Sequence, residues 1–476
     1  MKFKSMTLAG LAFGMMASCQ DDEVVNVNNG ESEGDAYMSL SIEMPNVDGS
    51  TRAINGGSET APGTEEEQKI TSLKLFVFNE KGEVKNSKVD YQASELVPVK
   101  PNPASPSNAT TYTIPAFKIE SGNKKVLVII NPLNDKFESA NATLMGQSMQ
   151  LTEEEIKTIS TNSAFMMTNI NRSHETNGLV EVDVQGTKNN PTSVTVEVER
   201  SVAKIEDVTT NYEFTVKNTQ NDKVVFQNVV LMNGNKKFFP IMQIQQNAEN
   251  QSNDYVKDPN FDNNTDKGNF ISDNFYSAEF TAGSFTSNDQ NKYTQALSSE
   301  EKAPNALYYT LENTMTKEQQ MNAYTTGLYY QAQYKLNNQE DHVYMFDGKL
   351  YTFESLQNSA NDLGIKLNDP ETGAELTNDS SQDDFDKIGV KKYVNGVCYY
   401  PYWIKHVDSP DATLDAMEFA VVRNNYYQIT INSVKEIGSY KPVNPDPNTP
   451  DEEVEAYLDV KVKVLPWTVR KNQIDF

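Results

Sequence analysis

Alternation of apolar and polar side chains recurs along nearly the whole chain, and period-two alternation dictates strands. "AYMSLSIEM" turns Ala36, Met38, Leu40, Ile42 and Met44 to one side and Tyr37, Ser39, Ser41 and Glu43 to the other. Strand-like segments of the same kind follow: "ITSLKLFVFNEKGEV", "TTYTIPAFKI", "GLVEVDVQG", "TSVTVEVERSVAKIEDVTTNYEFTV", "DKVVFQNVVLMNG", "YTTGLYYQAQYKL", "HVYMFDGKLYTF", "KYVNGVCYYPYWI", "MEFAVVRNNYYQITINSVKEIG" and "AYLDVKVKVLPW". In "KKVLVIINP" the apolar run is continuous, which predicts a strand covered on both faces. "LTEEEIKTIS" departs from the pattern: Thr152 caps, Glu155 sits three residues on and acids fill the first turn, so a helix is expected there. Many short strands with turn signals and little helix define an all-β chain of packed sandwiches.

At 476 residues the chain is long enough for two domains or three. One strand system hands over to the next between Arg200 and Lys204, which sets the expected boundary. The 41 basic and 67 acidic residues give a net charge of −26. Such a surface stays soluble by self-repulsion and offers no basic stripe for nucleic acid. Residues 247–301 read as a long polar surface excursion. Pro442, Pro445, Pro447 and Pro450 make Lys441–Glu453 an extended, semi-rigid linker that lets the C-terminal end project.

The N-terminus reads as an address. Lys2 and Lys4 precede an apolar stretch from Met6 to Ala17, then small residues, then Cys19. That is a three-part export signal, too short to span a bilayer as a helix. "MAS" followed by Cys19 resembles a bacterial lipobox, which implies that residues 1–18 are a signal peptide and that Cys19 carries the lipid (palmitate among its acyl chains). Asp21, Asp22 and Glu23 resemble the acidic signal that sends lipoproteins to the outer face of the outer membrane. Cys398 then has no intramolecular partner, and its aromatic neighbours make it a small buried hydrophobe.

Chemistry is hard to find. His174, His342 and His406 form no HExxH, His-x-His or Cys/His cluster, and His406 reads as a hydrogen-bonded structural residue. No nucleophile elbow, P-loop or dinucleotide fingerprint occurs, so no enzyme and no cofactor are expected. "DNNTDKGNFISD" puts Asp262, Asn264, Asp266 and Asp273 at the first, third, fifth and twelfth places of a calcium loop. Gly268 falls one place late and the last ligand is not Glu, so a polar loop is the better reading and no metal is expected.

"NGVCYYPYWIKH", "MEFAVVRNNYYQITINSVKEIG" and "LDVKVKVLPW" resemble the C-terminal signature of the Bacteroidota fimbrillin family, in particular the major subunit of the short (minor) fimbriae. "ITSLKLFVFNEKG", "VLVIINP", "FMMTN", "VERSVAK" and "YYTLENT" match in order upstream. The resemblance implies two transthyretin-like, Greek-key β-sandwich domains in tandem and a type V pilus built on the cell surface from lipoprotein precursors. It further implies that an arginine-specific protease cuts after the first strand, and that a C-terminal strand of the next copy fills the vacated groove. Accessory tip and anchor fimbrial proteins would join the homopolymer, and the membrane would be touched only through the precursor lipid.

On this sequence the matching bond is Arg52–Ala53 in "GSTRAIN", among Gly49, Ser50, Asn55, Gly56 and Gly57, where a backbone enters a protease cleft readily. Arg200 sits within a β-branched strand and should be protected, while Arg172 is a second exposed candidate. The removable strand offers Met38, Leu40, Ile42 and Met44; the C-terminal strand offers Leu458, Val460, Val462 and Val464 at the same period. The tail beyond, with Val469, Ile474 and Phe476, is an alternative donor to 456–464. The expected organisation is signal 1–18, tether and removable strand 19–52, N-terminal domain 53–202, C-terminal domain 203–440, and linker with donor segment 441–476. The expected function is a fimbrial shaft subunit serving adhesion and biofilm formation. The rivals are a tip subunit and a monomeric surface lipoprotein that binds glycan on exposed Tyr399, Tyr400, Tyr402 or Trp403.

Overall fold

The computed structural model describes residues 34–44, 61–99, 110–133, 136–138, 146–159, 165–246, 254–260, 270–286, 293–299, 305–407, 417–451 and 457–468. The chain is all-β, with two sandwich bodies in tandem. Every strand of the first sheet comes from residues 36–200. Its order is Asp90–Gln92, Ser72–Phe78, Gly122–Ile130, Met167–Asn169, Thr192–Arg200, Ala36–Met44, Thr110–Ile119 and Val97–Val99, and Val180–Val184 also pairs with Gly122–Ile130. The unbroken apolar run behaves as its composition demands: Val126, Leu127, Val128, Ile129 and Ile130 are all fully buried.

The chain leaves this sheet at Arg200 and enters the next at Val202. That second sheet runs Ala61–Pro62, Leu458–Thr468, Asn425–Val434, Val202–Asp207 and Leu307–Leu311. A third sheet, Glu213–Thr215, Lys223–Met232, Gly327–Lys335 and Val397–Trp403, packs against it. Phe226 lies edge-on to Tyr330 and tilted against Tyr400 between the layers. Two tyrosines tie the layers with polar bonds: Tyr330 donates to Asp207 Oδ2 at 2.9 Å and Tyr308 to the Val229 carbonyl at 2.9 Å. One apolar core runs continuously through both bodies.

The expected helix is present at Glu153–Ile159. Its capping box closes reciprocally, Glu155 N donating to Thr152 Oγ1 at 3.2 Å and Thr152 N to Glu155 Oε2 at 2.7 Å. A unit whose strands were expected and whose helices were not lies between the third sheet's last two strands. It comprises Val343–Phe346, Lys349–Tyr351, the helices Phe353–Leu363 and Gln382–Asp386, and Lys391–Tyr393. Tyr344, Leu356, Leu376, Phe385 and Val390 give it a small core of its own. The longer helix starts on Thr352, which accepts from Ser355 N, and stops at Gly364 with φ of 70°.

The two bodies are bolted together by polar side chains. Glu67, buried in the short turn at Glu66–Gln68, accepts from Lys204 Nζ at 2.9 Å and from the Tyr309 hydroxyl at 2.6 Å. Arg200 Nε donates to the Glu67 carbonyl at 3.0 Å. The loop at Phe239–Pro240 is held from both sides: Thr168 of the first sheet donates to the Pro240 carbonyl at 2.6 Å, and Arg423 Nη1 donates to the same oxygen at 3.1 Å.

Candidate assembly site

Ala36–Met44 occupies the middle of the first sheet. It runs parallel to Thr192–Arg200, with Ile42 opposite Val196, and antiparallel to Thr110–Ile119, with Ile42 opposite Tyr112. Buried and half-buried residues alternate without exception, and Met38, Leu40, Ile42 and Met44 are each no more than 1% exposed. Burying four such side chains contributes up to about 1.5–3 kcal/mol each. The strand's entry is fixed too. Asp35 accepts from Ser121 N at 2.7 Å and from Ser121 Oγ at 3.0 Å, and these bonds hold its carboxyl below the usual range. Gly34 passes so close to the Ile119 carbonyl carbon that a Cβ would stand 2.1 Å from it.

A strand in this position is a plug. Without it, Thr192–Arg200 and Thr110–Ile119 would each present an unpaired ladder edge over an apolar trough, a site that accepts any extended segment of matching period. Cys19, Arg52 and Ala53 lie outside the described residues, as do Asp262, Asn264 and Asp266 of the calcium-like stretch. Asp273 falls in the short helix Phe270–Asn274, and no group of three metal-ligating side chains occurs among the described residues. Of the three described arginines, Arg200 and Arg423 are buried; Arg172 is exposed and pairs with Glu197 at 2.7 Å.

The C-terminal strand is not a free end. Leu458–Thr468 forms a long antiparallel ladder with Asn425–Val434, from Leu458 opposite Val434 to Pro466 opposite Asn425. Leu458 is buried, Val460, Val462 and Val464 are half-buried against the core, and Asp459, Lys461 and Lys463 face outward. The alternation was therefore legible, but in this subunit the strand completes its own sheet. Among the described residues its outer edge meets Ala61–Pro62 alone, opposite Trp467 and Thr468. Val469, Ile474 and Phe476 lie outside the described residues. A variant lacking 457–476 should lose the ladder and expose the core, reading as a large drop in thermal midpoint. A variant lacking 469–476 should unfold as the intact chain does. Equal midpoints for the two deletions would remove the ladder's structural role.

Two expectations about this end are corrected. The proline-rich segment does not project: Val443 N donates to the Tyr329 hydroxyl at 2.9 Å, Phe280 N to Asn444 Oδ1 at 2.6 Å and Asn322 N to the Thr449 carbonyl at 3.0 Å. Nor are Tyr399, Tyr400 and Trp403 the exposed aromatics expected of a sugar platform. Both faces of that strand are covered, Cys398 and Tyr400 by the main core and Tyr399 and Trp403 by a second cluster with Phe280, Phe285, Tyr329 and Phe419. Only Tyr402 of the four is half-exposed. Burial pushes the Cys398 thiol up to about 12, and His406 is buried with Nδ1 2.7 Å from the Tyr427 hydroxyl.

The first sandwich holds Ala36–Met44 within its sheet, and the second carries an extended C-terminal strand. Two family models match the sequence. "Major fimbrial subunit protein (FimA)" covers residues 36–200, and "Major fimbrial subunit protein type IV, Fimbrillin, C-terminal" covers residues 391–473. The first spans the plug strand through the last strand of the first sheet, and the second contains the whole C-terminal strand. The chain belongs to the fimbrillin family of major fimbrial subunit proteins. Among solved structures it is similar to a cell-adhesion protein of Parabacteroides distasonis at 15% identity, with 91% of this chain and 100% of that one covered and a TM-score of 0.49. It is also similar to a fimbrilin of Porphyromonas gingivalis at 16% identity, with 92% and 99% covered and a TM-score of 0.40. The tip fimbrial protein Mfa3 of the same organism, C-terminally truncated, matches at 13% identity, with 90% and 100% covered and a TM-score of 0.39.

Proposed function

We propose that this chain is a non-enzymatic shaft subunit of a cell-surface fimbria. It is exported as a precursor lipidated on Cys19 and displayed on the outer membrane. Cleavage of Arg52–Ala53 by an arginine-specific protease frees the plug strand and the lipid anchor together. The C-terminal segment of another copy then enters the trough, and the homopolymer, joined by tip and anchor proteins, serves adhesion and biofilm formation. The observation that supports this most is the position of Ala36–Met44: a strand at the chain's beginning, central in its sheet, bonded on both sides and buried on one face. Arg52 follows it within a short glycine-rich stretch, so one cut separates the plug from everything that remains.

Exchange has two routes. Leu458, Val460, Val462 and Val464 can act as donor only after leaving Asn425–Val434, at the cost of the ladder they make there. The segment 469–476 follows that ladder in sequence and lies outside the described residues. Trypsin treatment of the purified precursor should cut after Arg52 and yield an SDS-resistant ladder, and Arg52→Ala should abolish it. A protein that is cut at Arg52 and stays monomeric at high concentration would sink the shaft reading.

A further inference from the structure

The segment that joins Asn425–Val434 to the last strand is a docked strap, and its far end is chemically unlike the rest. Along its course it is fastened by neutral or exposed groups. Gln382 Nε2 donates to the Tyr440 carbonyl at 3.1 Å, Lys441 pairs with Asp383 at 2.7 Å and Asp386 at 2.8 Å, and Val443, Asn444 and Thr449 make the bonds described above. At Pro450 it bridges Met321, and Asp451 N donates to the Gln320 carbonyl at 3.1 Å. Asp451 is the last described residue of the strap, and Tyr457, which directly precedes Leu458–Thr468, has its own tie, its carbonyl accepting from Lys435 N at 2.8 Å.

Asp451 is 6% exposed. The Thr325 hydroxyl donates to its Oδ2, while Oδ1 is buried with no hydrogen-bond partner among the described residues. No cation forms an ion pair with it there. Lys405, on the stretch after Val397–Trp403, is a cation whose field reaches it, and Lys405 is engaged by the Glu418 carboxylate at 2.9 Å. On the strap itself, Asp446 turns back to accept from Asn448 N at 3.0 Å and Thr449 Oγ1 at 2.8 Å, and its charge acts on Tyr324. The Thr325 hydroxyl that reaches the carboxyl is neutral, and the Gln320 carbonyl accepts from the Asp451 backbone N–H. An ionised carboxylate gives up strong hydration in such a place and regains one hydroxyl.

We propose that Asp451 is a protonation-dependent latch: as the neutral acid it docks the strap into the second domain and holds the C-terminal segment home, and as the carboxylate it lets the strap lift. The latch would regulate release of the donor segment, and that purpose rests on the assembly reading; its existence does not. Burial raises the Asp451 carboxyl from 3.8 to about 8. Docking therefore binds a proton. It is strongest below the free value, weakens by up to about tenfold per pH unit between roughly 4 and 8, and weakens no further above that.

Hydrogen exchange of the uncleaved, full-length protein tests this, read on peptides covering 441–451 and 457–468 at pH 5, 6, 7 and 8 and corrected for intrinsic chemical rates. Wild-type protection should fall by up to about tenfold per unit. Peptides from 36–44 serve as reference and should stay flat. Asp451→Asn keeps the shape without the charge and should flatten the profile of the strap. A flat wild-type profile overturns the latch, with or without a folded variant, and so does the same slope in wild type and Asp451→Asn. A protein that is cut at Arg52 but never polymerises would overturn the assembly reading and leave the exchange result standing.

Discussion

Arg423→Met should destabilise the second domain by about 3–5 kcal/mol, because it strands a buried carboxylate. Arg423 and Glu312 are both completely buried. The guanidinium forks onto the carboxylate, Nη2 to Oε1 at 2.5 Å and Nε to Oε2 at 2.8 Å, and its remaining donors reach the Phe239 carbonyl at 2.6 Å and the Pro240 carbonyl at 3.1 Å. Burial works to lower the Arg423 pKa, but the charge and hydrogen bonds of Glu312 outweigh it, so the group is held above its ordinary value and stays charged. Lysine cannot replace this arrangement, since a point charge satisfies neither the fork nor the two carbonyls. The Pro240 carbonyl also accepts from Thr168, so the junction between the two bodies loosens as the domain weakens. Chemical denaturation of Arg423→Met, Glu312→Gln and the double variant reads the effect. The double variant should lose less than the sum of the singles, because it removes both members of the pair together. A single-variant loss below about 1 kcal/mol would mean that water reaches the pair.

How much of this was legible depends on which force decided each element. Where one face is buried, alternation decides, and both Ala36–Met44 and Leu458–Thr468 could be read from it, with their inward residues. Alternation does not say whose sheet a strand joins. The pattern of Leu458, Val460, Val462 and Val464 suits any trough of matching period, and pairing with Asn425–Val434 is set by tertiary contacts. The run from Cys398 to Trp403 misleads for a related reason. Exposure of its aromatics follows from assuming one wet face, and here Phe280, Phe285 and Phe419, distant in sequence, cover the second. The prolines of Lys441–Glu453 correctly announce an extended backbone, yet nothing local shows that Tyr329, Phe280 and Asn322 will fasten it. The helices of the unit at 343–393 were missed although the signals of the longer one are present: Thr352 followed by Ser355, and Gly364 at the end of an amphipathic run. Its helices are short and its core small, so strand signals on either side dominate. Glu67 and Asp451 carry no sequence signal at all, since an acid in an acidic chain looks like surface until its neighbours are placed.

Ile42→Ala should separate the precursor from the fibre. In the precursor Ile42 is fully buried, opposite Val196 and Tyr112, and truncation to alanine should cost about 2–5 kcal/mol. If residues up to Arg52 depart on cleavage, the assembled fibre contains no Ile42, and its resistance to heat in SDS should equal that of the wild type. A weakened plug also leaves sooner, so polymerisation after trypsin should start earlier. Val196→Ala is the control: it lines the same trough from a strand that stays, and it should weaken precursor and fibre alike. The pair of variants therefore distinguishes a placeholder from a permanent strand without any knowledge of the donor. A fibre of Ile42→Ala that melts early, as Val196→Ala does, would show that Ala36–Met44 remains in the assembled subunit. The trough would then never open, and growth would have to proceed through another surface.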